Sequence, residues 1–159
     1  MAIGGGIEIT ARKAVFVFLA QTDAGVADIT GALRPLAIGD DEDATEVKRF
    51  CAAAHAVLDR FRPDRIALIQ RRRSGPFASG GLTFKIEGLL QLYPHGALQI
   101  ISTQQLRDYA RDTQVVLKPR FAYQRNAYWA ARYILDQAAG ALRDEGCDHH
   151  LPTEMKQCR

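Results

Sequence analysis

Apolar positions in this chain recur at two spacings, and the changes between them mark out its elements. Residues 3–10 carry Ile3, Ile7 and Ile9, and Glu8 among them is the only acid in the first 22 residues. They predict a strand. Ala11-Arg12-Lys13 links it to residues 14–20, AVFVFLA, the most apolar and β-prone run in the chain. Two such runs so closely joined predict a hairpin. Residues 26–38 alternate less cleanly and end in Leu33, Leu36 and Ile38. They predict a third strand, interrupted at Pro35 because proline removes a ladder donor. The spacing then changes to three and four. Val47, Phe50, Cys51, Ala54, Val57, Leu58 and Phe61 share one face of a helix, with Asp43 as N-cap and Glu46 at its third position. The continuous run over 66–69, IALI, predicts a buried strand. Helical spacing returns over 82–93 through Leu82, Ile86, Leu89, Leu90 and Tyr93, until Pro94-His95-Gly96 stops it. Residues 97–101 predict a fifth strand, and Ser102 or Thr103 caps a short helix to about residue 112. The last helix is predicted over 123–145, with Ala127, Ala130, Ala131, Ile134, Leu135, Ala138 and Leu142 inward and Gly146 as its stop.

The predicted order is β-β-β-α-β-α-β-α-α. It implies an α/β domain with a mixed five-stranded sheet: three antiparallel strands, then strands paired in parallel through right-handed crossovers, with helices on both faces. The expected domain covers residues 1–146, and residues 147–159 read as a flexible C-terminal tail.

Chemistry concentrates after the strand at 66–69. Arg71, Arg72 and Arg73 follow it at once, and then SGPFASGG, too rich in Gly and Ser for regular structure. In open α/β sheets ligands sit beyond the carboxyl ends of strands, so this loop is a candidate polyanion site. A solvated basic loop is the equally weighted alternative. The 159-residue chain has a net charge of only +3, so local clustering says more than the total. Arg107, Arg111, Lys118, Arg120, Arg125 and Arg132 continue the basic character, interleaved with Tyr109, Phe121, Tyr123, Tyr128 and Trp129. An arginine fork suits phosphate and aromatic rings can stack on unpaired bases, although core packing is the favoured reading for Tyr128 and Trp129.

Other features exclude more than they propose. Three cysteines without a CxxC argue against a disulfide framework and for a reducing cytoplasm. The start lacks the pattern of a secretory signal, and no apolar run approaches the ~20 residues that cross a membrane. Cys51 reads as a buried inert thiol and His55 as a boundary residue. The acidic run Asp40 to Asp43 reads as helix N-terminal chemistry rather than a metal cluster. Gly75 and Gly80 have the spacing of a phosphate loop, but Gly81-Leu82 replaces its Lys and Ser/Thr. Cys147, Asp148, His149, His150 and Cys158 are zinc-ligating types at irregular spacing in a terminal segment, and a tail is the expected reading.

The segments Gly6-Ile7-Glu8, Phe77-Ala78-Ser79-Gly80-Gly81 and Phe84-Lys85-Ile86-Glu87, in this element order, resemble a family of short uncharacterised bacterial proteins. That family is similar to the RuvC-type resolvase branch of the ribonuclease-H-like fold, and the likeness spans about residues 3–135. Such nucleases hold two divalent metals roughly 4 Å apart on clustered carboxylates. The resemblance makes Glu8 the first-strand acid and metal ligand, with Glu87 as a weaker second catalytic carboxylate. Where the family's central strand ends in an acid followed by arginine, this chain has Gln70. Near the start of the last helix, where a further acid is expected, it has Gln124, Arg125 and Asn126. Gln70 and Asn126 are thus substituted acid positions, and a neutral amide is a poor Mg²⁺ ligand. The expected function is nucleic-acid or other polyanion binding with a degraded two-metal site and no resident cofactor. Arg71, Arg72, Arg73, Lys85, Lys118, Arg120 and Arg125 would contact the nucleic acid. The alternatives are a Mg²⁺- or Mn²⁺-dependent nuclease using Glu8 and Glu87, and a protein-interaction subunit with a protein partner. Fold analogy implies a homodimer.

Overall fold

The computed structural model describes residues 1–71, 80–116 and 118–144. Its centre is β1 (Ile3–Thr10), which pairs antiparallel with β2 (Lys13–Thr22) on one side and parallel with β5 (Arg65–Ile69) on the other. β6 (Ala97–Ile101) extends the parallel half beside β5. β3 (Gly25–Asp28) and β4 (Leu36–Ala37) both pair antiparallel with β2. The sheet therefore runs β3-β2-β1-β5-β6, with β4 also on β2, and counts six strands among the described residues rather than five.

The extra strand comes from splitting the one expected over 26–38. Thr30 ends the first piece. Its backbone N–H donates to Asp28 Oδ1 at 2.8 Å, and its buried hydroxyl accepts the Phe18 N–H at 2.8 Å. A side chain thus takes over a ladder bond, and pairing resumes only after Pro35.

Period-two alternation sorts the two faces of the sheet. Phe16 and Phe18 of β2 point with Ile7, Ile9, Ile66 and Leu68 towards α1 (Ala44–Phe61) and α2 (Gly81–Gln91), whose Phe50, Ala54, Leu58, Ile86 and Leu90 complete that core. Val15, Val17 and Leu19 point the other way, onto Ala127, Tyr128, Ala131 and Leu135 of α4 (Arg125–Asp144). Ala67, Ile69 and Ile101 meet Ala130 and Ile134 of α4 and Leu106 of α3 (Thr103–Asp112). Helices cover both faces, as expected.

Local chemistry sets the helix ends. Asp43 caps α1 by accepting the Thr45 N–H at 2.8 Å, and Arg62 closes it in the left-handed region at φ 47°. Ser102 and Gln105 form a reciprocal capping box on α3. Cys51 is half-buried, and the His55 ring bridges α1 to α2 with Nε2 3.0 Å from Leu89 O. The expected tail lies outside the described residues, as does the Leu142 side chain. No described helix is long and apolar enough to cross a membrane.

β1 owes its central place to small residues. Gly4 and Gly6 lie on the α4 side, where a Cβ on Gly6 would sit 1.9 Å from Ala127 O and one on Gly4 2.8 Å from Ala131 O. The helix backbone rests directly on the strand.

Candidate nucleic-acid interface

The alternation that turns Gly4 and Gly6 towards α4 turns Glu8 the same way. Because α4 lies so close there, its first turn reaches the strand's end, and Asn126 Nδ2 donates to Glu8 Oε1 at 2.8 Å. The two residues are 118 positions apart in the chain.

Around this bond is a cavity of about 290 Å³ at the carboxyl ends of β1 and β5. Glu8, Asn126, Arg71, Arg107, Arg125 and Trp129 line it, over an apolar floor of Ile69, Leu106 and Ala110. Gln70 does not line it. Ala67 and Ile69 face α3 and α4, so parity sends Gln70 away and returns Arg71. Gln70 is exposed, and its backbone N–H continues the sheet by donating to Ile101 O at 2.8 Å. Arg71, and not Gln70, therefore reaches the cavity.

Arg71 sits between two carboxylates. Burial pulls its pKa down from the usual guanidinium value, while the charges of Glu8 and Glu87 act against that fall. Its Nε is buried without a hydrogen-bond partner among the described residues. Glu87 approaches from α2, on the opposite face of the sheet. It is 5% exposed, and its Oε2 also lacks a partner among the described residues. Among the described residues, the cavity walls carry three arginines against one carboxylate.

Trp129 is held from behind. Tyr109 and Trp129 meet edge to face at 5.9 Å and 87°, and the Tyr109 hydroxyl donates to Asp136, which also accepts from Arg132 Nε at 3.0 Å. Burial first, and then the Asp136 carboxylate, push the Tyr109 phenol well above its ordinary pKa. Tyr128 packs in the core, as expected, whereas Trp129 is half-buried with a face on the cavity. A second cavity, of about 470 Å³, shares Trp129 and Arg125 with the first, and Val115, Pro119 and Ala122 also line it.

Other expected cations lie elsewhere. Lys85 donates to Asp41 Oδ2 at 2.9 Å, in the acidic loop before α1, and holds that carboxyl below its usual pKa. Lys118 lines neither cavity, and the Arg120 guanidinium lies 5.6 Å from the centre of the Phe121 ring. Arg72, Arg73 and the Phe77-Ala78-Ser79 part of the motif lie outside the described residues. Arg107 was readable only as one cation among many. The other contributions of α3, Thr103, Leu106 and Ala110, carried no signal beyond helical spacing.

Among the described residues, no three of the types Asp, Glu, His and Cys come together as a metal site would need. Residues 72–79, RRSGPFAS, contain none of these types.

A model of the family described as "Protein of unknown function (DUF3010)" matches residues 1–133. No curated protein matches the sequence. Among solved structures, the Thermus thermophilus RuvC structure is similar at 14% identity and a TM-score of 0.67, over 87% of this chain and 96% of that one. T. thermophilus RuvC in complex with Holliday junction substrate is similar at 14% identity and a TM-score of 0.65, over 88% and 97%. The fold is thus ribonuclease-H-like, the mixed sheet of RuvC.

Proposed function

The chain belongs to this DUF3010 family, and from that premise we propose that it is a nucleic-acid-binding protein whose two-metal centre has been lost, so that it holds its ligand without cutting it. The observation that carries the reading is the cavity in which Arg71, Arg107 and Arg125 surround a single carboxylate, Glu8, already engaged by Asn126. A metal pair needs several anionic oxygens at one place. Here Asn126 offers an amide, Gln70 faces away, and the Arg71 guanidinium supplies positive charge beside Glu8 and Glu87. These residues do not fit the metal pair, and what they fit is phosphate: arginine donates two parallel hydrogen bonds to it and stays charged when partly buried.

A RuvC of like fold binds a Holliday junction substrate, which makes branched DNA the first probe, beside duplex and single strands. Binding should weaken steeply with salt, and Arg71→Ala should reduce the log–log slope by about 0.7–0.9, the share of one phosphate contact. Salt-independent binding, or none, would overturn the proposal.

The second reading is a metal-dependent nuclease using Glu8 and Glu87. It is favoured by the unpartnered Oε2 of buried Glu87, an oxygen a cation would satisfy. Cleavage in Mg²⁺ or Mn²⁺ that Glu8→Ala abolishes would establish it and refute the first.

A further inference from the structure

Nucleic acid reaches these cavities in one of two forms, as a duplex or as a strand with unpaired bases. Resting on the binding function proposed above, we infer that this site takes the second form, with consecutive unpaired nucleotides on either side of Trp129. Four observations carry this. First, the Arg71–Arg125 cavity, at about 290 Å³, is a concave pocket at the small end of the range that encloses ligands. A paired base inside a duplex cannot enter such a pocket without leaving its stack. Second, its lining is divided: arginines suit a phosphate, whereas Trp129, Leu106 and Ala110 offer an apolar wall to a base. Third, Trp129 and Arg125 also line the neighbouring cavity, whose other walls are the apolar Val115, Pro119 and Ala122. The two concavities share a ridge with an aromatic ring and a cation on it. A flexible strand can cross that ridge, placing a base on each side and a phosphate at Arg125. Fourth, the ring is fixed in advance, because Tyr109 braces it edge-on and Asp136 holds Tyr109. A platform ordered before binding loses little entropy when a base stacks on it.

Trp129 is the only tryptophan in the chain, so intrinsic fluorescence reports on this ridge alone. The test titrates the intact protein with oligothymidylate, and with the same oligomer paired to oligoadenylate, at equal phosphate concentration and low salt. Electrophoretic mobility shift scores total binding in parallel. Saturable quenching by the single strand and none by the duplex is expected. Trp129→Phe, which keeps a smaller ring, should weaken single-strand binding by about threefold, and Trp129→Leu by roughly tenfold, within the range for one base–aromatic stack. Equal quenching by the duplex would overturn the inference. So would a mobility shift that leaves the fluorescence unchanged, and in that case the general binding function would still stand. If neither probe binds and neither quenches, both readings fall.

Discussion

Replacing Gly6 by alanine puts one methyl group where the last helix already is. The new Cβ would lie 1.9 Å from Ala127 O and 2.4 Å from Ala131 N, both backbone atoms. No rotamer change relieves that overlap. The helix must withdraw by roughly 1.5 Å to reach 3.4 Å, where ordinary contact begins. Overpacking a core by one methylene costs about 1–3 kcal/mol where side chains can adjust. Two main-chain clashes place Gly6→Ala at the upper end, about 3 kcal/mol. In urea, with a slope near 2 kcal/mol/M, the midpoint should fall by about 1.5 M. Gly5→Ala is the internal control. It adds the same methyl one residue away on the other face, where it meets only the Phe18 ring at 3.3 Å and the Pro63 ring at 3.4 Å. It should cost clearly less. The reasoning is refuted if the two variants unfold at the same urea concentration. Because Ala127 adjoins Asn126, Gly6→Ala should also weaken nucleic-acid binding at urea concentrations where the protein is still folded.

Other perturbations test separate parts of the account. Arg71→Ala removes positive charge that acts on Glu8 and buried Glu87; burial costs the guanidinium more than those charges return, so the stability the variant loses is that of leaving the buried Glu87 carboxylate uncompensated. The loss should shrink when Glu87→Gln is combined with it, and strictly additive denaturation midpoints would argue against the coupling. In the folded protein Tyr109 keeps its proton above pH 10.0, the value at which an unperturbed tyrosine loses it. Its contribution to stability is therefore complete below pH 10.0 and declines as pH rises beyond. Asp136→Asn should bring the phenol's titration down, as read by tyrosinate absorbance. Gly88 in α2 is exposed, with nothing within 4 Å of an added methyl, and Gly88→Ala should stabilise by about 0.5–1 kcal/mol in thermal or urea melts.

Much of the architecture could be read from spacing alone. The alternation in VFVFL of β2 and the three–four spacing of α1 each have a single buried solution, and the structure adopts both. The break at Thr30 was less visible, because a threonine suits strands and only its hydroxyl bond to Phe18 ends the pairing. At the site, only the resemblance set Glu8 and Asn126 side by side, and no spacing within the chain announces their bond. The exchange of Gln70 for Arg71 needed parity as well: Ile7 lies opposite Leu68, both on the α1 side, so the α4 side is reached from alternate residues, Ala67, Ile69 and then Arg71. Lys85 could not be placed from its own helix. Its partner Asp41 belongs to a loop 44 positions earlier, and only the packing of α1 beside α2 brings them together.

The bond from Asn126 to Glu8 also orders events at synthesis. Its acceptor is made 118 positions before its donor, which belongs to α4. At ordinary elongation rates the two leave the ribosome on the order of ten seconds apart. During that interval Val15, Val17 and Leu19 have no helix over them. A nascent chain thus carries an uncovered apolar strip until α4 emerges, and is open there to chaperones or to pairing with a neighbour. The cavity beside Glu8 is among the last features of the domain to form, and any chain stopped short of residue 125 has no Arg125, Asn126 or Trp129 with which to build it.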